Sequence, residues 1–224
     1  HAIVSENRLT RINQETNLDL ATLFGCAITT AFGVVENNAK LKIGESVVVY
    51  GAGGIGLNII QAASMMNCNP IIAVDLFDNR LNLAKEMGAN FCLNSRNDDI
   101  EEKLKFLLPN NLDVFIDNTG IPEIIKFGFE KIKSDGRLVL VGVPKLNSFL
   151  SINTLPIHFG KKIIGSHGGE CNPSKDIPRY LELLKYKKFN PNKLITHRFN
   201  LSEINLAIAS MKKGITAGRI IIDL

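Results

Sequence analysis

From residue 44 onward, short apolar runs alternate with helical stretches. Val47–Tyr50 is a β-favouring run that ends in a glycine cluster, and the cluster opens a helical pattern over Leu57–Met66. Ile71–Val74 leads to a second helix, Asn79–Met87, which stops at Gly88, a residue suited to the left-handed position after a helix. Phe91–Leu93 is a short strand. Asp99–Leu108 starts acidic and ends before Pro109, as the helix dipole and proline sterics favour. Val114–Ile116 leads to a helix opening at Pro122. Ser134-Asp135-Gly136 predicts a turn into Leu138–Val141, and a last apolar run, Ile163-Ile164, precedes Gly168-Gly169. Apolar runs bounded by turns and separated by helices are what a parallel sheet with helices on both faces requires. The count of about six strands is that of a complete doubly wound α/β (Rossmann) fold.

The flanks differ. Residues 1–20 are polar apart from Ala2-Ile3-Val4 and predict the end of a strand plus a connector. Residues 21–35 carry a helical stripe of Leu23, Ala27, Ala31 and Val34. Gly44-Glu45 predicts a turn. Beyond residue 170, helix Ile177–Lys187, helix Ser202–Lys212 and strand Arg219–Asp223 have no obvious place in the sheet and predict association with a second unit.

Composition narrows the class. The 224 residues are 45% hydrophobic and 21% charged, ordinary for a globular protein with a sizeable core. The net charge of +4 is small and its Lys and Arg residues are scattered; the densest cluster, Lys185-Tyr186-Lys187-Lys188, reads as a solvated helix end. Neither nucleic-acid binding nor a membrane span is expected. The four cysteines form no C-x-x-C and no disulfide framework, which favours a reducing, cytoplasmic compartment.

The candidate chemistry starts at Gly51-Ala52-Gly53-Gly54-Ile55-Gly56, a G-x-G-x-x-G between strand and helix. Gly51 permits a tight turn, Gly53 lets backbone approach a pyrophosphate, and Gly56 allows close helix packing. The helix N-terminus adds free N–H groups and partial positive charge. Asp75 ends the next strand at the spacing the fingerprint asks for. A carboxylate there binds ribose hydroxyls and repels a 2′-phosphate, which favours NAD over NADP. Arg80 is within reach of the adenosine ribose or its phosphate. The competing roles are a purely structural glycine turn and, for Asp75, an N-cap of the following helix.

Taken together, "GCAITTAFG" (25–33), "GESVVVYGAGGIGLNIIQAA" (44–63), "IIAVDLFDNRLNLAKEMGA" (71–89), "DGRLVLVGVP" (135–144), "LITHRF" (194–199) and "GRIIIDL" (218–224) resemble, in this order, the zinc-dependent medium-chain alcohol dehydrogenases. The resemblance covers nearly the whole chain. It implies a longer protein, with a catalytic domain before residue 1. Residues 1–20 would be the end of that domain and a linker, 21–166 the dinucleotide-binding domain, and 167–224 a segment returning to the catalytic domain. It implies that Cys26 is a catalytic zinc ligand and that Thr30 lies against the nicotinamide. Gly51, Gly53, Gly54, Ile55 and Gly56 would hold the pyrophosphate, and Asp75 and Arg80 the adenosine ribose. Val141 and Val143 would border the nicotinamide carboxamide, and Arg219 would reach the pyrophosphate. The remaining zinc ligands and the proton relay would precede residue 1.

No other zinc ligand or catalytic residue is identifiable in these residues. Cys68, Cys92 and Cys171 are isolated and read as structural, as do His158 and His197, whereas His167 falls near the cofactor and substrate cleft in the resemblance. The expectation is therefore the cofactor-binding part of an oxidoreductase that moves hydride between a small alcohol, with its aldehyde or ketone, and NAD. The 224 residues alone are expected to be inactive, and two copies are expected to pair through the edge strand at Lys161–Ser166. Two other readings stay open: a zinc-free, NADPH-dependent quinone or enoyl reductase, and a nucleotide-binding module without catalysis.

Overall fold

The computed structural model describes residues 3–109, 112–186 and 189–224. Its centre is a six-stranded sheet of β1 (Val47–Tyr50), β2 (Ile71–Asp75), β3 (Phe91–Asn94), β4 (Leu112–Asp117), β5 (Ile132–Leu140) and β6 (Lys162–Gly165). The strands are all parallel and lie in the order β3-β2-β1-β4-β5-β6. This is the doubly wound α/β sheet read from the alternating pattern.

The period of two along each strand feeds two cores. Val47, Val49, Ile71, Ala73, Val114, Ile116 and Val139 face one side, packed with the helices α3 (Gly54–Met65) and α4 (Asp78–Glu86). Val48, Ile72, Val74, Phe115 and Leu138 face the other, under α5 (Ile100–Leu107) and α6 (Pro122–Lys131). Burial on both faces explains why these strands read as continuous apolar runs. The first core also takes in α1 (Leu18–Phe24) and α2 (Ala27–Gly33). The stripe of Leu23, Ala27, Ala31 and Val34 is buried throughout.

Three expectations are corrected. The helix expected over 21–35 is broken at Gly25-Cys26, where Cys26 leaves helical geometry (φ −149°, ψ −60°), and α2 widens into a π-helical turn over Val34–Ala39. Ser134-Asp135-Gly136 does not turn the chain into a new strand. It is a bulge inside β5, whose Ile132 pairs with Leu112 before the register shifts to Arg137 with Val114. The bulge is pinned because Lys133 Nζ lies 2.7 Å from Asp113 Oδ1, and Asp113 Oδ2 accepts from the Ser46 amide and hydroxyl at 2.8 and 2.7 Å. Ile3 and Val4 form no strand, and Ala2 lies outside the described residues.

The tail carries a strand that the pattern did not announce. β7 (Ile195–Asn200) pairs in parallel with β8 (Arg219–Asp223) as a separate two-stranded sheet. α7 (Leu155–His158) lies in the connection from β5 to β6, α8 (Pro173–Lys185) joins β6 to the small sheet, and α9 (Ile204–Lys212) lies inside the small sheet's connection. The helix expected over 177–187 is α8; Lys187 and Lys188 lie outside the described residues. Ile177 and Tyr180 of α8, with Phe189 and Leu194, join the same apolar cluster as α2. No single helix among the described residues is long and apolar enough to cross a membrane. α1 and the helix Ala27–Ala39 pass such a test only as a pair bent by 45°, and most of their apolar side chains lie in the core.

Phe115 is fully buried on the α6 face, between the rings of Tyr50 and Phe127 and against Gly128, where an added Cβ would come within 2.6 Å of the Phe115 ring. Phe115→Ala is expected to lower the unfolding free energy by about 3–5 kcal/mol in a urea titration. A loss below about 1 kcal/mol would mean that this face collapses around the gap rather than depending on the ring.

Candidate functional site

In a doubly wound sheet the chain leaves the central strands in opposite directions, and a crevice opens at their carboxyl ends. Here that point lies between β1 and β4, which are neighbours in the sheet. A cleft of about 750 Å³ occupies it. Five strand ends contribute to its lining: Gly51–Gly56 without Ala52 after β1, Asp75 at the end of β2, Ser95 after β3, Asn118 and Thr119 after β4, and Val141–Val143 after β5; Arg80, Ile124 and Arg219 add to it from α4, α6 and β8.

The four glycines of the loop do different work. Gly51 has φ +97°, a conformation that only glycine adopts without strain, so the chain reverses there. Gly56 sits so close to the Gly51 carbonyl that a Cβ would run into that oxygen. Gly54 leaves room for the Arg219 guanidinium, which a Cβ would strike. Gly53 has ordinary extended geometry (φ −73°, ψ −170°), and a Cβ there would meet nothing within 4 Å; it would project into open space beside the cleft. Gly53 is also the N-cap of α3 and brings no side-chain cap, so the first N–H groups of α3 remain available to an anion.

Two buried carboxylates hold the neighbouring turns. Asp75 is 5% exposed; its Oδ2 accepts from the Ala52 amide at 2.7 Å, and its Oδ1 from the Leu76 and Phe77 amides at 2.8 and 3.1 Å. Arg80 Nη1 lies 3.6 Å from the same Oδ1. The N-cap role is thereby corrected: the N-cap position of α4 is Phe77, which brings no side-chain cap, and Asp75 ties the end of β2 to the glycine loop instead. Asp117 is fully buried and accepts from the Thr119 amide, the Thr119 hydroxyl and the Gly120 amide at 3.0, 2.6 and 2.9 Å. Gly120, at φ +68°, lets this turn press against Val143, where a Cβ would come within 2.6 Å of backbone atoms.

Two buried polar groups beside the loop have no hydrogen-bond partner among the described residues: Arg219 Nε, and both ends of the Asn118 side-chain amide. Burial pushes the Arg219 guanidinium below its ordinary pKa, and the nearby Cys26 opposes that shift. Groups of this kind are costly to bury unless something completes them. The donors on Arg219, the uncapped N-terminus of α3 and the space over Gly53 fit a pyrophosphate, and the cleft's size fits a dinucleotide.

The structure brings Gly51, Gly53, Gly54, Ile55, Gly56, Asp75, Arg80, Val141, Val143 and Arg219 onto one cleft. Thr30 and Cys26 do not line it. Cys26 is exposed at the head of α2, and Thr30 lies one turn on, its amide donating to the Cys26 carbonyl at 2.9 Å. Among the described residues, no group of three His, Cys, Asp or Glu side chains is placed to hold a metal ion. They supply one exposed thiol and not a zinc site. His167 and His158 are exposed away from the lining, and His197 Nδ1 lies 2.9 Å from the Thr196 hydroxyl. Cys68, Cys92 and Cys171 each donate to a backbone carbonyl, of Lys42, Leu81 and Thr29. Burial pushes the Cys68 thiol up to about 11 and raises the other two, so all three stay protonated at neutral pH.

The sequence profile of the zinc-binding dehydrogenases matches residues 54–186. This chain belongs to the zinc-binding dehydrogenase family. It is 30% identical over 217 residues to S-(hydroxymethyl)glutathione dehydrogenase of Synechocystis sp., which covers 96% of this chain and 59% of that protein. It is 31% identical over 219 residues to alcohol dehydrogenase class-P of Arabidopsis thaliana, covering 96% and 57%. Among solved structures, benzyl alcohol dehydrogenase from Acinetobacter calcoaceticus superposes with a TM-score of 0.88 at 31% identity over 96% of this chain and 59% of that one. An alcohol dehydrogenase zinc-binding domain protein from Burkholderia ambifaria gives 0.90 at 30% identity, over 98% and 59%. This zinc-binding dehydrogenase chain thus spans less than two thirds of the length of the relatives it matches.

Sequence reasoning missed Asn118, Ser95 and Ile124 in the lining. The available signal was the polar run Asp117-Asn118-Thr119 directly after the apolar core of β4, at the edge where such sheets bind ligands. The glycine geometry gives a paired expectation for this zinc-binding dehydrogenase. Gly56→Ala should cost about 1–3 kcal/mol by forcing the loop off its carbonyl contact, while Gly53→Ala should stay within about 1 kcal/mol of the parent. Thermal melts of the two variants check the contrast, and equal losses would contradict it.

Proposed function

We propose that this chain holds NAD for an oxidoreductase that transfers hydride between an alcohol and the nicotinamide ring. The observation that carries the reading is the unpaired, buried Arg219 Nε facing a glycine loop that ends in an uncapped helix. Family membership supports it, as do relatives and neighbours whose names are alcohol dehydrogenases. NAD, when bound, supplies the hydride acceptor.

The chain's own residues would bind and orient it. The N–H groups of Gly54, Ile55 and Gly56 and the Arg219 guanidinium would hold the pyrophosphate, each a charge-assisted contact in a partly desolvated cleft. Asp75 and Arg80 would take the adenosine ribose. Ile121 and Ile124 offer an apolar wall for a flat base. Val141, Gly142 and Val143 border the β5 end, where the nicotinamide would lie, and Thr30 would approach it from α2.

Cys26 is proposed as one thiolate of a zinc ligand set, a role supported by family membership and by its exposure at the head of α2. The substrate is proposed as a small alcohol with its aldehyde or ketone. The 224 residues by themselves are proposed to bind the dinucleotide without oxidising alcohol.

NADH titration, followed by nucleotide fluorescence, is expected to give saturable binding. Gly53→Val should weaken it about tenfold or more with the melting curve unchanged, and Cys26→Ser should leave it within about twofold. Binding unaffected by Gly53→Val would remove the dinucleotide from this cleft.

A second copy is the proposed partner. β6 is an edge strand with half-buried Ile163 and Ile164, and the chain leading to it exposes Leu146, Phe149 and Phe159. An apolar edge of this kind demands a cover. Pairing through Lys161–Ser166 predicts a dimer in sedimentation velocity at micromolar concentration, and a charge placed at Ile163 should shift it to monomer.

A further inference from the structure

Resting on the dinucleotide reading of the cleft, we propose that Asn79, which does not line the cleft, is a positioning residue for Arg219. It grips the turn that leads into β8 and so sets where the Arg219 guanidinium stands over the glycine loop. The small sheet alone cannot set this. Arg219 is the first residue of β8, which pairs with β7 in a two-stranded sheet apart from the six-stranded one. Two strands by themselves are marginal, and the register shifts between Ile195 and His197, next to the Ile195–Arg219 pair. The guanidinium must nevertheless stand so close to Gly54 that a Cβ there would strike it. Its buried Nε has no hydrogen-bond partner among the described residues to fix the group from its own end.

Asn79 supplies the missing constraint. It lies in the first turn of α4, and its Nδ2 donates to the carbonyls of Gly214 and Ile215 at 3.1 and 3.0 Å. Both hydrogens of the amide are thus spent on consecutive carbonyls of one turn. Its Oδ1 accepts from the Arg80 amide at 2.9 Å, which holds the side chain in that orientation. Phe77 forms the floor beneath. Gly214, at φ +71°, sits on its ring so closely that a Cβ would strike it, and the Arg80 and Arg96 guanidinium carbons lie 4.8 and 4.7 Å from the ring centre. At the far end of the turn Gly218, at φ +65°, presses on the Leu194 carbonyl, and the Thr196 hydroxyl donates to the Ala217 carbonyl. The turn 214–218 is therefore held at both ends, and Asn79 holds the end that faces the larger sheet.

Holding the tail on and aiming Arg219 are separable. Leu194, fully buried in the first core, keeps the small sheet attached. The ion pairs Lys193–Glu86, at 2.9 Å, and Arg198–Asp19 also cross from the tail, and both are exposed, where such pairs contribute little. Loss of the Asn79 donors would let the turn shift without releasing the tail. A charge-assisted bond weakens steeply once the donor no longer points at its oxygen. An aspartate at position 79 sharpens the distinction. Its charge suits the N-terminal turn of α4, yet it has no hydrogen to give the two carbonyls.

The test is a double-mutant cycle on the 224-residue protein. NADH affinity is read by nucleotide fluorescence, and amide hydrogen exchange over residues 213–219 is read without nucleotide. Asn79→Ala and Asn79→Asp are each expected to speed that exchange about fivefold or more, with the melting temperature within about 3 °C of the parent. Asn79→Ala should weaken NADH about three- to tenfold. In an Arg219→Ala background it should change NADH affinity by less than about twofold, because the group it positions is gone. Unchanged exchange at 213–219, unchanged NADH affinity, or a loss that persists in full beside Arg219→Ala would overturn the positioning role and leave the dinucleotide reading standing. Failure of the parent to bind NADH would overturn the dinucleotide reading, and the positioning role with it.

Discussion

A single bond, from the Ala52 amide to Asp75 Oδ2, couples the two features on which the cleft depends. On one side is the loop that must reverse direction at Gly51. On the other is the end of β2, whose carboxylate is nearly inaccessible to water. A buried carboxylate is tolerated only when its oxygens are satisfied. Asp75 meets that condition by fixing the chain on both sides of the cleft, so burial and positioning are the same event. Asp117 repeats the device one strand beyond β1, gathering the Thr119 and Gly120 amides while its own carbonyl accepts from Val141 and Gly142 at 2.8 and 2.9 Å. The carboxyl edge of the sheet is rigid where a ligand would need it because its acids are spent on backbone.

What was legible in the sequence is what local chemistry decides. Val47–Tyr50 runs into glycines and must stop there; Gly88 and Pro122 end and open helices by their own backbone limits. The bulge in β5 was illegible because Ser134-Asp135-Gly136 carries turn chemistry, and only the distant Asp113 and Ser46 decide that the ladder resumes. β7 was illegible for a different reason. Ile195–Asn200 is half-exposed and has a single neighbour, β8, so packing writes little of it into the residue pattern.

The same division applies to the candidate site. Gly51, Gly53, Gly56 and Asp75 announce themselves by spacing within one β-α-β unit. Arg219 is legible only through family resemblance, because its meeting with Gly54 joins distant parts of the chain. Asn118 and the Arg80–Phe77–Arg96 stack leave no periodic trace, since each depends on loops from different strands arriving together. Asp75 shows the limit of motif reading most clearly. Its identity and position point to ribose recognition, while its hydrogen bonds show how much of its capacity the fold has already used.

Charge is consequently distributed unevenly along the cleft. The middle has Arg219 and the N-terminus of α3, with no acid among its lining residues other than Asp75. The β3 side adds Arg80. The β5 end presents Val141, Gly142 and Val143 and no charge. A polyanion with one uncharged, flat end satisfies that gradient, because each phosphate would find a desolvated donor and the reacting end would meet apolar walls. Donor groups and apolar walls are thereby separated along one groove, the former at its middle and the latter at the β5 end.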